Sequence, residues 1–207
     1  MSNNELARLE AWLENRSPLI EDFQSLVSAV HDDPWPQLRV TGQSYDMKTG
    51  MLRPTYDGVP AGRVAYTVGE GPAWAAVVEL AARITAVRSR RWYPITRTVK
   101  PIPPAWQRLA AEAFPFLCHM EIDHGWADLM IAASGWIAEI GPPSGFKSSQ
   151  IKEKYATLRW YVDGPDDGIA DIIEAAELLS GHICEKCGRP GKLRDGGHFT
   201  TRCDEHA

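Results

Sequence analysis

The chain has 207 residues, 44% of them hydrophobic, and a formal net charge of −5. That length and apolar content suffice for one large domain or two small ones with their own core, with no need of a disulfide framework. No run reaches the roughly 18–20 apolar residues of a membrane span, and the opening Met1-Ser2-Asn3-Asn4-Glu5-Leu6 lacks the charged-then-apolar plan of a signal peptide, so a soluble, cytoplasmic protein with no membrane partner is expected.

In chain order, Leu6, Leu9 and Leu13 lie at helical spacing. Ser17-Pro18 then restarts the pattern as cap and first-turn proline, with Ile20, Phe23, Val27 and Val30 as the apolar stripe. Asp32-Asp33-Pro34-Trp35-Pro36 ends it. Short β-like pieces are predicted at Leu38 to Thr41 and Arg63 to Val68, separated by turns or a loop around Lys48-Thr49-Gly50 and Asp57-Gly58. A helix is predicted from about Pro72 to Arg91, with Trp74, Val77, Val78, Ala81 and Ile84 inward. Pro101, Pro103 and Pro104 fit neither a helix interior nor a central strand and mark the expected main boundary.

Beyond it, Trp106 to Phe114 reads as a short helix, and Trp126, Leu129, Met130, Ala133, Trp136, Ile137 and Ile140 as a strongly amphipathic one capped by Asp123. Ile151 to Val162 switches to alternation, placing Leu158, Trp160 and Val162 on one face of a strand or hairpin and Arg159 and Tyr161 on the other. After the turn Asp163 to Gly168, a last helix buries Ile169, Ile172, Ile173, Ala176 and Leu179 while Asp171, Glu174 and Glu177 face water. The expected class is α+β: helices packed on a small antiparallel sheet with a C-terminal zinc-ribbon-like knuckle. The expected parts are an N-terminal α+β region (1–100), an α+β domain (101–183) and the knuckle (184–207).

The knuckle carries the strongest chemical signal. Cys184-Glu185-Lys186-Cys187 sets two thiolates two residues apart, and Gly188 lets the backbone curl beneath them. Cys203-Asp204-Glu205-His206 repeats the spacing fifteen residues on, with Pro190-Gly191 and Gly196-Gly197 as turns between. Three soft sulfurs and one imidazole select Zn²⁺ in a closed tetrahedron, so one structural zinc per chain is expected at Cys184, Cys187, Cys203 and His206. A redox Cys-x-x-Cys would not account for the second pair of matching spacing. His182 and His198 are near enough to be spare ligands or supporting donors, a surface position being the commoner outcome. Cys118 is left as a core thiol.

Charge is uneven. Between Glu79 and Glu112 there is no acid, while Arg83, Arg88, Arg90, Arg91, Arg97, Lys100 and Arg108 give that interval +7. A solvated face is one reading; the other is a surface for an anionic partner, with Arg83, Arg88, Arg90, Arg91, Trp92, Tyr93, Arg97 and Lys100 as the expected partner-binding residues. If the partner is nucleic acid, arginines and lysines would meet phosphates while the aromatics stack on bases.

From about Trp106 onward the order of motifs resembles a family of uncharacterised proteins of bacteria, bacteriophages and prophages. The resemblance rests on His124-Gly125-Trp126, Gln150-Ile151-Lys152-Glu153-Lys154-Tyr155, Leu158-Arg159-Trp160-Tyr161, Ile172 to Glu177 with Ser180, Cys184-x-x-Cys187-Gly188-x-Pro190-Gly191 and Thr201-Arg202-Cys203-Asp204-x-His206. Where that family usually has two small residues, often glycines, this chain has Ala156-Thr157. The resemblance implies a zinc-tailed α+β domain of phage or prophage origin and carries no assigned activity.

No catalytic constellation stands out. Gly141 to Ser148 has the wrong spacing for a phosphate loop, Glu121, Asp123 and His124 read better as a capped helix start, and adjacent Cys118 and His119 side chains point apart. The expectation is therefore a non-enzymatic, zinc-stabilised phage or prophage protein that binds a host macromolecule, such as a protein of a defence system. Direct nucleic-acid binding through 83–108 is the alternative. A zinc-supported nuclease, suggested by His198 between the cysteine pairs, is the second; it would need a helix after His206 that one remaining residue cannot form.

Overall fold

A computed structural model describes residues 17–30, 37–66, 69–93, 96 and 98–207. The stripe at Leu6, Leu9 and Leu13, the stop at Asp32 to Pro36, Thr67, Val68 and Arg97 lie outside the described residues. The elements are α1 (Ser17–Ala29), β1 (Arg39–Asp46), β2 (Met51–Asp57), β3 (Arg63–Ala65), β4 (Glu70–Ala73), α2 (Trp74–Ser89), β5 (Trp92–Tyr93), β6 (Thr98–Val99), α3 (Trp106–Ala113) and β7 (Met120–Glu121). A 3₁₀ turn (His124–Trp126) leads into α4 (Ala127–Ile140), followed by β8 (Lys147–Lys154), β9 (Thr157–Asp163), α5 (Asp167–Ser180), β10 (Lys192–Asp195), β11 (Phe199–Arg202) and a closing 3₁₀ turn (Asp204–His206). The class is α+β, as the sequence predicts.

Helix α2 is central. Alanine-rich and buried nearly all round, it packs against α1, β2, α4 and α5. Its start has no side-chain cap of its own; instead Trp74 N–H donates to Gly62 O at 3.1 Å and Ala73 N–H to Asp171 Oδ1 at 3.4 Å. Phe23 and Val27 of α1, Trp126, Leu129 and Ile137 around α4, and Ile169 and Ile172 of α5 close the core around it. One buried cluster thus draws residues from both sides of the proline run at 101–104, with Trp106 and Ala110 of α3 included.

The sheet under α5 has the order β7-β8-β9. Strands β8 and β9 are antiparallel, Ile151 opposite Trp160, while β7 joins β8 in parallel with Met120 opposite Ile151, so this sheet is mixed and the other strand pairs are two-stranded antiparallel ribbons. Leu158 and Trp160 are buried and Tyr161 is exposed, as the alternation requires. Glu177 does not face water. Strand β9 lies at the sheet edge, and α5 supplies acceptors for its backbone: Glu177 Oε1 for Trp160 N–H at 2.7 Å and Ser180 Oγ for Leu158 N–H at 2.8 Å. Asp171 is likewise only partly exposed and pairs with Arg63 at 2.6 Å.

Two further expectations change. Lys48-Thr49-Gly50 is a turn, as read, but the stretch around it is not a loop: the turn joins the long hairpin β1–β2; Leu52 is fully buried and its N–H donates to Ser89 Oγ at 2.8 Å, while Asp46 Oδ1 accepts Lys48 N–H at 2.8 Å to close the turn. Asp123 makes no capping hydrogen bond; it pairs with Lys186 at 2.7 Å. Asp166 does cap α5, accepting Ile169 N–H at 2.8 Å.

Candidate metal centre

Strands β10 and β11 fold the chain end back so that Cys184, Cys187, Cys203 and His206 meet, their donor atoms all within 4.8 Å of one another. Cys187 Sγ lies 3.7 Å from Cys203 Sγ, and His206 Nδ1 lies 3.3 Å from Cys203 Sγ and 3.6 Å from Cys184 Sγ. A tetrahedron with metal–sulfur bonds of about 2.3 Å has sulfur–sulfur edges of about 3.8 Å and sulfur–nitrogen edges slightly shorter. These three separations match such edges, and the four side chains together, within 4.8 Å, could hold one metal ion. His182 and His198 are not part of this cluster: burial pushes the His182 imidazole below its usual pKa, and His198 is exposed in the β10–β11 turn.

The knuckle is bolted to the core through backbone. Gly125 N–H donates to Glu185 O at 2.6 Å and Trp126 Nε1–H to Ile183 O at 2.9 Å, with Trp126 fully buried. The guanidinium of Arg88 donates to Gly188 O. A Cβ on Gly125 would run into the Cys184 carbonyl and the Glu185 backbone, so only glycine permits this approach. Gly188, at φ +76°, takes the left-handed turn under the sulfurs. Glu185, 5% exposed, accepts Thr201 N–H at 2.9 Å and pairs with Arg202 at 3.1 Å.

Thr201 in turn donates its hydroxyl to Ala156 O at 2.7 Å, joining the ribbon to the β8–β9 turn. That turn puts Tyr155 (φ 53°) and Ala156 (φ 66°) in the left-handed region without a glycine, helped by Ala156 N–H donating to Glu153 Oε1 at 2.6 Å. Burial would raise the Cys184 thiol's pKa, but backbone N–H donors outweigh it and hold the thiol below its usual value, favouring the thiolate; burial pushes Cys187 up.

The basic segment looks different folded than it does in sequence. Arg83 sits between Glu79 at 2.6 Å and Glu139 at 2.7 Å and covers the Trp136 ring at 4.9 Å. Arg88 is buried against Asp22, 3.5 Å away, and Arg91 pairs with Asp128 and donates to Lys100 O. Trp92 is buried. Arg90, Tyr93 and Lys100 are exposed, with Lys100 Nζ 5.1 Å from the Tyr93 ring centre. Arg108 pairs with Glu112. The acids missing from the interval come from α1, α4 and α2's first half. Cys118 is half-buried, and burial pushes its thiol above the usual value.

The four residues singled out by their spacing come together in space, but the spacing did not reveal what positions them. The signal was present in His124-Gly125-Trp126: a glycine followed by a tryptophan supplies the close approach and the indole donor that dock the knuckle. Among the described residues, no helix is long and apolar enough to cross a membrane. Set against family models, curated proteins and solved structures, the chain matches none of them.

Proposed function

We propose that the chain is a zinc-stapled binding protein: one Zn²⁺ at Cys184, Cys187, Cys203 and His206 closes the C-terminal ribbon onto the helical core, and the surface fixed in this way docks another macromolecule. The closed donor set carries the reading. Three sulfurs and one imidazole gathered within 4.8 Å, with three of their separations at 3.3–3.7 Å, suit Zn²⁺ over harder ions, and four protein ligands would fill its coordination, which favours stabilisation over catalysis. When bound, the ion supplies charge neutralisation for the thiolates and a cross-link between chain segments. The motif resemblance supports a phage or prophage setting, with a host protein, such as one of a defence system, as the partner.

The exposed trio Arg90, Tyr93 and Lys100 favours a second reading, direct contact with nucleic acid. It ranks behind the first because Arg83, Arg88 and Arg91 already have carboxylate partners. Affinity capture from host lysate with the zinc-loaded chain and with Cys187→Ser, each with and without nuclease, tests both. The first reading expects a nuclease-resistant protein that the zinc-loaded chain retains and Cys187→Ser loses. Nuclease-sensitive recovery would transfer the case to the second reading, and equal capture by Cys187→Ser would overturn the role of the staple.

A further inference from the structure

Beside the knuckle lies a cleft of about 700 Å³, bounded by the start of α1, the β5–β6 hairpin with its exit through Pro101 and Ile102, and the Lys186 to Arg189 loop. Its size falls in the range of small-molecule sites, about 300–1,000 Å³. One side is apolar, built from Leu19, Val99, Pro101 and Ile102. The other carries five Lys and Arg side chains against a single lining carboxylate, Asp22.

Most of those cations are engaged. Arg91 pairs with Asp128, Lys186 with Asp123 and Arg189 with Glu205, while the terminal nitrogens of Arg88 meet Gly188 O and Asp22. Four donors are left. Among the described residues Lys100 Nζ meets the face of Tyr93, and the exposed His124 imidazole lies on the cleft wall. Two are buried N–H groups without a hydrogen-bond partner among the described residues, Trp92 Nε1 and Arg88 Nε, on lining residues each 7% exposed. Native proteins seldom leave buried donors unmade, and an apolar pocket with a few convergent polar groups is the usual form of a ligand site.

We infer that this cleft binds a small organic anion, its apolar body against Leu19, Val99 and Ile102 and its phosphate or carboxylate head held by Lys100, the Trp92 indole N–H and His124. The ion pairs around it set the selectivity: with Arg91, Lys186 and Arg189 already neutralised, the site suits a compact ligand with one anionic head over a polyanion. The Lys186 to Arg189 wall belongs to the metal knuckle, so metal loading shapes the cleft. The identity of any macromolecular partner has no bearing on it.

The test is an amide and indole ¹H–¹⁵N correlation spectrum of the metal-loaded full chain, its metal content measured first so that a lost staple and a lost ligand site are told apart. The chain has eight tryptophans, and Trp92→Phe assigns the indole resonance in question. The probes are phenyl phosphate, benzoate and benzyl alcohol. Saturable movement of the Trp92 resonance is expected with one or both anions and not with the neutral alcohol, and the tighter anion distinguishes a phosphate from a carboxylate ligand. Lys100→Ala should weaken that binding roughly tenfold while metal content and the remaining spectrum stay unchanged. A Trp92 resonance that stays still up to about 10 mM of every probe would leave its N–H to water and overturn the proposal. So would equal binding of benzyl alcohol, or an unweakened Lys100→Ala.

Discussion

Helix α4 buries eight of its fourteen residues, whereas β10 and β11 together bury only Thr201. The first can be held by burial of apolar surface, at about 25 cal/mol per Å²; the second cannot. What ties the ribbon down is of another kind: the backbone bond from Gly125 to Glu185, the Thr201 hydroxyl on Ala156 O and the Glu185–Arg202 pair, beside a cluster of three cysteines and a histidine that could hold a metal ion. Leu193 and Phe199 even point their apolar side chains to solvent. On the proposed zinc staple, a segment of this composition would keep its place by cross-linking, and its stability should respond to different perturbations from those that unsettle the core.

Removing a ligand should separate the two regions most sharply. Zinc sites in small peptides bind with apparent energies of about 10–16 kcal/mol near neutral pH, far more than the ribbon's hydrogen bonds alone contribute. Cys187→Ser should therefore abolish full metal loading and expose the amides of β10 and β11 to hydrogen exchange, while those of α2 and α4 stay protected. Simultaneous loss of protection in α2 would break the distinction. The converse experiment is Leu129→Ala. It should lower global stability by about 2–5 kcal/mol, measured by denaturant unfolding, with metal content per folded chain unchanged.

Gly125→Ala acts where the two regions join. Its methyl group would meet the Cys184 carbonyl, so a cost of about 1–3 kcal/mol should appear together with weaker metal retention against a chelator. A fall in stability with undiminished retention would mean that the knuckle closes without its platform. The smallest effect is a gain. Tyr155 sits at φ 53° on the surface, and Tyr155→Asn should raise the melting free energy by about 0.5–1 kcal/mol without touching the metal site; no gain would show that the left-handed turn carries little strain.

The same contrast governs what could be read from sequence. The Cys/His cluster was legible because the spacing within each pair is local, and the β9 alternation at Leu158, Trp160 and Val162 is local too. The fate of Arg88 and Arg91 was not, because their carboxylate partners Asp22 and Asp128 lie 66 and 37 positions away, and Arg83, besides its helical neighbour Glu79, meets Glu139 56 positions on. An acid-free interval in sequence says nothing about which acids surround it in space. Hairpin β1–β2 was hidden for a related reason: one strand is mostly polar, the other contains Pro54, and only Leu52's seat beside α2 explains the pairing. Asp123 looked like a cap because it precedes a helix, but the lysine it meets comes from the knuckle.

The central claim is the four-donor staple, and X-ray absorption at the zinc edge on protein purified without added metal tests it most directly. About one zinc per chain is expected, with three sulfur neighbours near 2.3 Å and one nitrogen at about 2.0–2.1 Å. A shell with fewer than three sulfurs, or one containing oxygen from water, would contradict it.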